Sequence, residues 1–283
     1  MGENCSHNCS GCGSKNSCSS SGASNAANSA VQKPQRVPNV KKLIGIVSGK
    51  GGVGKSLVTS LLAVIMQRRG LKTAVLDADV TGPSIPKVFG VNSKASVCES
   101  GIIPAQSKSG IKIMSVNLLL ENESEPVIWR GPVISGAVRQ FWTDVDWGDI
   151  DCMFIDMPPG TGDVPLTVFQ SLPVDGIVVV SSPQQLVGMV VSKALKMAET
   201  LEIPVIGLVE NMSYFQCPSC GEMHNVFGKS NASEFARKYG ICNVARIPID
   251  PDITELCDNG SIESFSSSWL EDIADDIEIL KIE

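Results

Sequence analysis

From Lys41 onward, short apolar runs alternate with longer stretches of helical periodicity. Candidate strands cover 43–47, 73–77, 112–116, 152–156, 176–181, 204–209 and 243–247. Several are continuous apolar runs, such as Gly176-Ile177-Val178-Val179-Val180. A strand buried on both faces reads this way. Helical spacing covers 55–69, 132–142, 164–171, 186–202, 230–239 and 266–280. This alternation predicts an α/β fold, a mostly parallel central sheet with helices on both faces. Ligands of such sheets bind beyond the carboxyl ends of the strands. The pattern is absent before Lys41. Residues 1–20 carry Cys5, Cys9, Cys12 and Cys18 among Ser, Asn and Gly, and residues 21–40 are rich in Ser, Ala and Asn. Neither stretch can bury a core. The expected organisation is a cysteine-rich metal-binding tail (1–20), a flexible linker (21–40) and one domain over 41–283.

The run Gly49-Lys50-Gly51-Gly52-Val53-Gly54-Lys55-Ser56 joins the first strand to the first helix. It fits the phosphate-loop pattern G-x-x-x-x-G-K-[ST] in the strand–loop–helix context that the motif requires. Glycines let backbone N–H groups close on phosphate oxygens, and the helix start adds the positive end of its dipole. Lys55 would reach the β- and γ-phosphates, and the Ser56 hydroxyl would bind Mg²⁺. Lys50 stands where a small residue fits more easily. Its repulsion from Lys55 is relieved if it reaches a nucleotide held by a second copy of the chain, as an arginine finger does; the plainer reading is a solvent-facing lysine. The second strand ends in Asp77-Ala78-Asp79, beside that loop. A carboxylate there can hold Mg²⁺ or orient the attacking water, although turn capping would also use Asp. The strand 152–156 ends in Asp156, placed to meet Mg²⁺ through water. Met157-Pro158-Pro159-Gly160-Thr161-Gly162-Asp163 follows it, prolines fixing the backbone and glycines allowing a turn that can reset.

Ten cysteines are present in 283 residues, with a net charge of −7. No strongly basic face is visible, which argues against duplex nucleic acid as a partner. No apolar run approaches the roughly 20 residues that span a bilayer, and the polar first 30 residues do not read as a signal peptide. A cytoplasmic chain is expected, whose thiols serve metal or redox chemistry rather than disulfides. Cys217-Pro218-Ser219-Cys220 presents two thiolates from one tight turn. Such knuckles occur at zinc and iron–sulfur sites. No second knuckle follows, so the pair is half a site, which a two-fold dimer would complete. A partial zinc site with His224, or a redox pair, are the alternatives.

The chain resembles the Mrp/ApbC/Nbp-type iron–sulfur cluster carriers, dimerising P-loop ATPases of the MinD/ParA/nitrogenase iron-protein class. GKGGVGKS, DADVTGPS, DMPPGTGD and VENMSYFQCPSCG carry the resemblance, over roughly residues 40 to 260. It implies an ATPase that binds ATP and Mg²⁺, holds a [4Fe–4S] cluster between the subunits of a homodimer and passes it to apo iron–sulfur recipient proteins. It assigns catalytic roles to Lys50, Lys55 and Asp79, Lys50 acting in trans. It places nucleotide at Gly49 through Leu57 with Asp156, adenine at Asn211, and the bridging cluster on Cys217 and Cys220. The spacing of Cys9, Cys12 and Cys18 matches the tail motif of the eukaryotic cytosolic scaffold relatives. Cys5 lies closer than in those proteins. The tail is open to a cluster, to zinc or to no metal. Competing readings are a MinD/ParA-like positioning ATPase, a nitrogenase-iron-protein-like electron donor and a zinc-stabilised kinase. The helix pattern at 266–280 carries an acidic polar face that anionic lipid would repel, so it is expected to pack on the core.

Overall fold

The computed structural model describes residues 39–79, 82, 84–98, 101–119, 131–160, 162–183 and 187–281. The tail cysteines Cys5, Cys9, Cys12 and Cys18, and the linker up to residue 38, lie outside these. The elements run β1 (Val40–Ser48), α1 (Lys55–Arg68), β2 (Thr73–Asp77), α2 (Ile85–Val88), β3 (Ser96–Cys98), β4 (Gly101–Ile103), β5 (Ala105–Gln106) and β6 (Lys112–Ser115). They continue as α3 (Gly131–Thr143), β7 (Ile150–Asp156), α4 (Asp163–Ser171), β8 (Gly176–Ser181), α5 (Val187–Thr200) and β9 (Val205–Glu210). The chain then forms β10 (Phe215–Gln216), β11 (Met223–His224), α6 (Ala232–Tyr239), β12 (Asn243–Arg246), α7 (Pro251–Asp258) and α8 (Glu271–Ile279).

Eight strands form the central sheet in the order β12-β9-β8-β1-β7-β2-β6-β5. All pairings are parallel except β5 with β6. The continuous apolar runs are explained by a core on each face. Leu43, Met153, Ile155, Ile177 and Val179 enter the core beneath α3, α4, α5 and α6. Ile44, Ile46, Phe154, Val178 and Val180 enter the one beneath α1, α7 and α8. Successive strand residues therefore alternate between two apolar layers, not between core and water.

Two sequence expectations change at their edges. The first strand, expected over 43–47, begins at Val40, and the Asn39 carbonyl before it accepts from Ile150 N at 2.8 Å. The helix expected over 266–280 shortens to α8, whose Ile273, Ala274 and Ile277 are buried. Those side chains pack on the sheet: a Cβ on Gly207 would come within 2.9 Å of Ile273 Cδ1. The acidic face of α8 is held by Arg69, 2.8 Å from Asp275 and 2.9 Å from Glu278, with Glu271 also paired to it. The apolar face is thus spent on the core, as expected. No helix among the described residues is long and apolar enough to cross a membrane.

Candidate nucleotide site and thiol hairpin

Seven parallel strands end in a polar residue. In sheet order these are Arg246, Glu210, Ser181, Ser48, Asp156, Asp77 and Ser115. All but Arg246 are buried. A row of polar groups over an apolar sheet needs hydrogen-bond partners there, and the loops leaving the strands supply them.

The phosphate loop leaves β1 at Ser48, whose Oγ donates to the Lys50 carbonyl at 3.0 Å. It reaches α1 through Gly54, whose φ of +83° is the left-handed conformation that suits glycine. The loop borders a cavity of about 300 Å³ lined by Lys50, Gly51, Gly52, Gly54, Lys55 and Ser56, with Ser48, Asp79, Gly82, Ser84 and Pro159 forming the rest of the wall. Gly49 is half-buried at the loop's start. Val53 and Leu57 turn their side chains toward the core, so what they offer a ligand is backbone. Lys50 is exposed.

Lys55 is only 6% exposed, with Nζ 2.8 Å from Asp156 Oδ1 and 3.6 Å from Asp79 Oδ2. It makes no aligned hydrogen bond. A buried ammonium with free donors beside a cavity suits a phosphate oxygen. Ser56 Oγ donates to Asp156 Oδ2 at 2.5 Å, and Thr59 Oγ1 donates to Asp156 Oδ1 at 2.9 Å. Hydroxyl and carboxylate oxygens converging beside a phosphate cradle are the hard donors that Mg²⁺ takes, so this set fits the ion. Thr59 was not singled out in the sequence. It lies three residues after Ser56, on the same helix face, and that spacing was the signal.

Asp77 sits beside Asp156 across the β2–β7 register. It accepts from Asp79 N at 3.1 Å and from Ser115 Oγ at 3.2 Å. Burial, and next the Asp156 carboxylate, hold its pKa well above the usual carboxylate range, while Lys55 pulls the other way. Its place is behind Asp79, fixing the backbone from which Asp79 reaches the cavity. The segment after β7 docks on the loop's base: Gly160 N donates to the Ser48 carbonyl at 2.9 Å. The side chain of Asp163, and Thr161, lie outside what is described.

Asn211 follows β9 and is 5% exposed. Its Nδ2 donates to the Val53 carbonyl at 2.9 Å, and its Oδ1 accepts from Met212 N at 2.9 Å. The expected adenine reader therefore supports the phosphate loop here. Contact with Gly54 is so close that a Cβ on that glycine would lie 2.1 Å from Asn211 Nδ2.

Shortly beyond, β10 and β11 pair as an antiparallel hairpin with Phe215 opposite His224 and Gln216 opposite Met223. The hairpin tip is a knuckle: Cys217 N donates to the Glu222 carbonyl at 2.9 Å, and Gly221 N donates to the Cys217 carbonyl at 2.8 Å. Gly221 takes a φ of +74° to close it. The backbone N–H groups of Cys220 and then Ser219, with the Cys220 thiol, point at the Cys217 sulfur and hold its pKa below the ordinary thiol range. Cys217 is half-buried, and Cys220 is exposed. Among the described residues no group of three or more His, Cys, Asp or Glu side chains could hold a metal. Two thiols are what one described chain brings together, and His224 does not join them.

A phosphate loop at the carboxyl edge of a parallel sheet, with Lys55, Ser56 and Asp156 converging, defines a P-loop NTPase. The chain belongs more narrowly to a ParA-type family: its residues 39–278 match the model of the NUBPL iron-transfer P-loop NTPases. It is 42% identical to an iron-sulfur cluster carrier protein of Clostridium perfringens (strain 13 / Type A), over 91% of this chain and 94% of that one. Identity to an iron-sulfur cluster carrier protein of Methanocaldococcus jannaschii is 44%, over 90% and 89% of the two chains. A solved nucleotide-binding protein from Archaeoglobus fulgidus in complex with ADP superposes with a TM-score of 0.76 at 46% identity, covering 83% of this chain and 93% of that one. The cell-division ATPase MinD of Pyrococcus furiosus shares the fold at a TM-score of 0.58 and 20% identity, over 85% and 99% of the chains.

Proposed function

We propose that this protein is an ATP-dependent carrier of a [4Fe–4S] cluster. The observation that carries the reading is a two-thiol knuckle built six residues beyond an asparagine that holds the phosphate loop. Iron–sulfur clusters of this size take four thiolates. One chain presents Cys217 and Cys220, and a two-fold axis supplies the other pair. The names of the relatives, iron-sulfur cluster carriers, support this reading.

In the proposed cycle each subunit binds ATP with Mg²⁺. The loop amides and Lys55 bind the phosphates, Ser56 and Asp156 provide the oxygens that suit Mg²⁺, and Asp79 orients the attacking water. Lys50, exposed at the cavity rim, reaches the nucleotide of the partner subunit. Asn211 retains one Nδ2 hydrogen and one Oδ1 lone pair, which match the adenine edge. The bridging cluster is cargo, delivered to an apo iron–sulfur protein by exchange of its thiolates for those of the recipient. Cys5, Cys9, Cys12 and Cys18 are proposed as a second, tail site.

The test is anaerobic reconstitution with iron and sulfide. About four irons per dimer, lost with Cys217→Ala/Cys220→Ala, is the expected result. A further loss of iron on deleting residues 1–20 would support the tail site. Zinc without labile sulfide, with iron unaffected by the cysteine changes, would overturn the carrier reading.

A further inference from the structure

The nucleotide site uses one half of the polar row at the strand ends. Glu210 and Arg246, at the other half, have no part in it. They stand opposite each other in the β9–β12 register. Glu210 is fully buried. Its Oε2 accepts from Ser213 Oγ at 2.5 Å and lies 3.7 Å from Arg246 Nε. Its Oε1 has no hydrogen-bond partner. Arg246 Nε also donates to Ser213 Oγ, at 2.7 Å, and its guanidinium lies 5.3 Å from the centre of the Tyr214 ring. A buried carboxylate is a poor choice if stability alone is at stake, because an apolar group of that size holds strands together at lower cost.

The position of the cluster in the chain explains it better. Asn211, next after Glu210, is bonded to the phosphate loop at Val53. Met212 follows with a φ of +55°, a conformation that a non-glycine residue adopts only under constraint. Ser213 N donates to the Ile247 carbonyl at 2.9 Å, and the Tyr214 carbonyl accepts from Ile249 N at 2.7 Å. The next residue, Phe215, opens the hairpin that carries Cys217 and Cys220. Seven residues thus run from the loop contact to the first thiol, and one charged cluster holds their middle.

We infer that Glu210, Ser213 and Arg246 are positioning residues that pass the state of the phosphate loop at Val53 to the thiol hairpin. Displacement of the loop is transmitted by Asn211. The cluster ties the segment beyond Met212 to the ends of β9 and β12, a fixed point about which displacement at Asn211 turns the hairpin and is not absorbed at Met212. Without it, nucleotide binds but the thiols do not respond. The inference rests on the carrier reading, in which nucleotide and cargo are coupled.

The test uses full-length reduced protein free of cargo. Alkylation of Cys217 and Cys220 by iodoacetamide is followed peptide by peptide, with and without magnesium and the ATP analogue AMP-PNP. Wild type, Ser213→Ala and Arg246→Gln are compared at one protein concentration. The wild-type rate is expected to change about fivefold on nucleotide binding, within the usual range of coupling between sites. In both variants that change should disappear while AMP-PNP affinity stays within about twofold of wild type. A merely structural role would not remove the response and spare the affinity. Arg246 is part-exposed, so its variant remains informative if Ser213→Ala folds poorly. Variants that bind AMP-PNP and keep the wild-type response would overturn the relay alone. Wild-type thiols indifferent to bound AMP-PNP would overturn the coupling itself, and the relay with it.

Discussion

Individual residues at this site are constrained in ways that make sharp predictions. Gly54 is held in the left-handed region and its missing side chain makes room for Asn211. Gly54→Ala would cost about 1–2 kcal/mol in backbone strain before any clash is counted. It should lower the melting temperature and abolish ADP binding, as read by thermal denaturation and calorimetry. Melting and affinity near wild type would show that the contact is dispensable. Lys50 sits exposed at the rim of the cavity and touches no carboxylate of the site, unlike Lys55. Lys50→Ala is therefore expected to keep nucleotide binding by the monomer yet lose hydrolysis by about a thousandfold, the scale of an arginine finger. An ATPase rate within a few-fold of wild type would place Lys50 in solvent for good. Cys217 carries a directional pH signature. Its lowered pKa means that the reactive thiolate forms at lower pH, so alkylation should rise with a midpoint below that of an ordinary free thiol. A midpoint at or above that value, followed on the Cys217 peptide, would deny the N–H groups of the knuckle any hold on the sulfur.

Whole elements show how far pattern reading goes. The long parallel strands were legible because two apolar layers leave no polar alternation, and α1, α3, α4, α5 and α6 because their apolar faces repeat with helical spacing. Three kinds of feature were missed. The short α2 offers too few residues for a period to show. The pairs β3–β4 and β10–β11 are two or three residues long, below any pattern length. The α7 helix was readable from its start: Asp250 caps it, accepting from Asp252 N at 2.9 Å, and Pro251 occupies the first turn. That is an N-terminus signal of the ordinary kind, but only eight residues follow it, too few for the apolar period to show. At the site, motif spacing located Lys55, Ser56 and Asp156 but not their mutual geometry. Asp77 and Glu210 lie inside the motifs DADVTGPS and VENMSYFQCPSCG and Arg246 in none, but the partners of all three depend on which strands lie side by side, which no local window contains. The α8 helix illustrates the energetic side. Ile273→Ala would leave a cavity under Gly207 and should cost about 2–5 kcal/mol in urea unfolding. Breaking Arg69 from its three carboxylates should cost only about 1 kcal/mol, and less in high salt. An Arg69→Ala loss as large as that of Ile273→Ala would mean that the charged face, not the buried one, holds the helix.

For the molecule as a whole, the proposed half-site is a statement about assembly. One chain presents Cys217 and Cys220 on an exposed hairpin flanked by Met223 and Val226, both more than half exposed. A cluster that takes two thiolates from each of two chains binds the dimer and not the monomer. By mass action its binding must then stabilise the dimer, by about 2.7 kcal/mol when the free ligand stands a hundredfold above its dissociation constant. The phosphate cavity makes a similar demand if Lys50 serves the partner subunit, since nucleotide then also favours the dimer. The two effects are separable. Sedimentation velocity under anaerobic conditions, at protein concentrations near the monomer–dimer midpoint, should show cluster-loaded wild type shifted to dimer without nucleotide. Cys217→Ser/Cys220→Ser should fail to respond to iron and sulfide yet still dimerise with AMP-PNP, whereas Lys50→Ala should do the reverse. If loaded wild type sediments as a monomer carrying one cluster per chain, the thiols of a second subunit are not needed. The site would then have to be completed within one chain, outside the described residues.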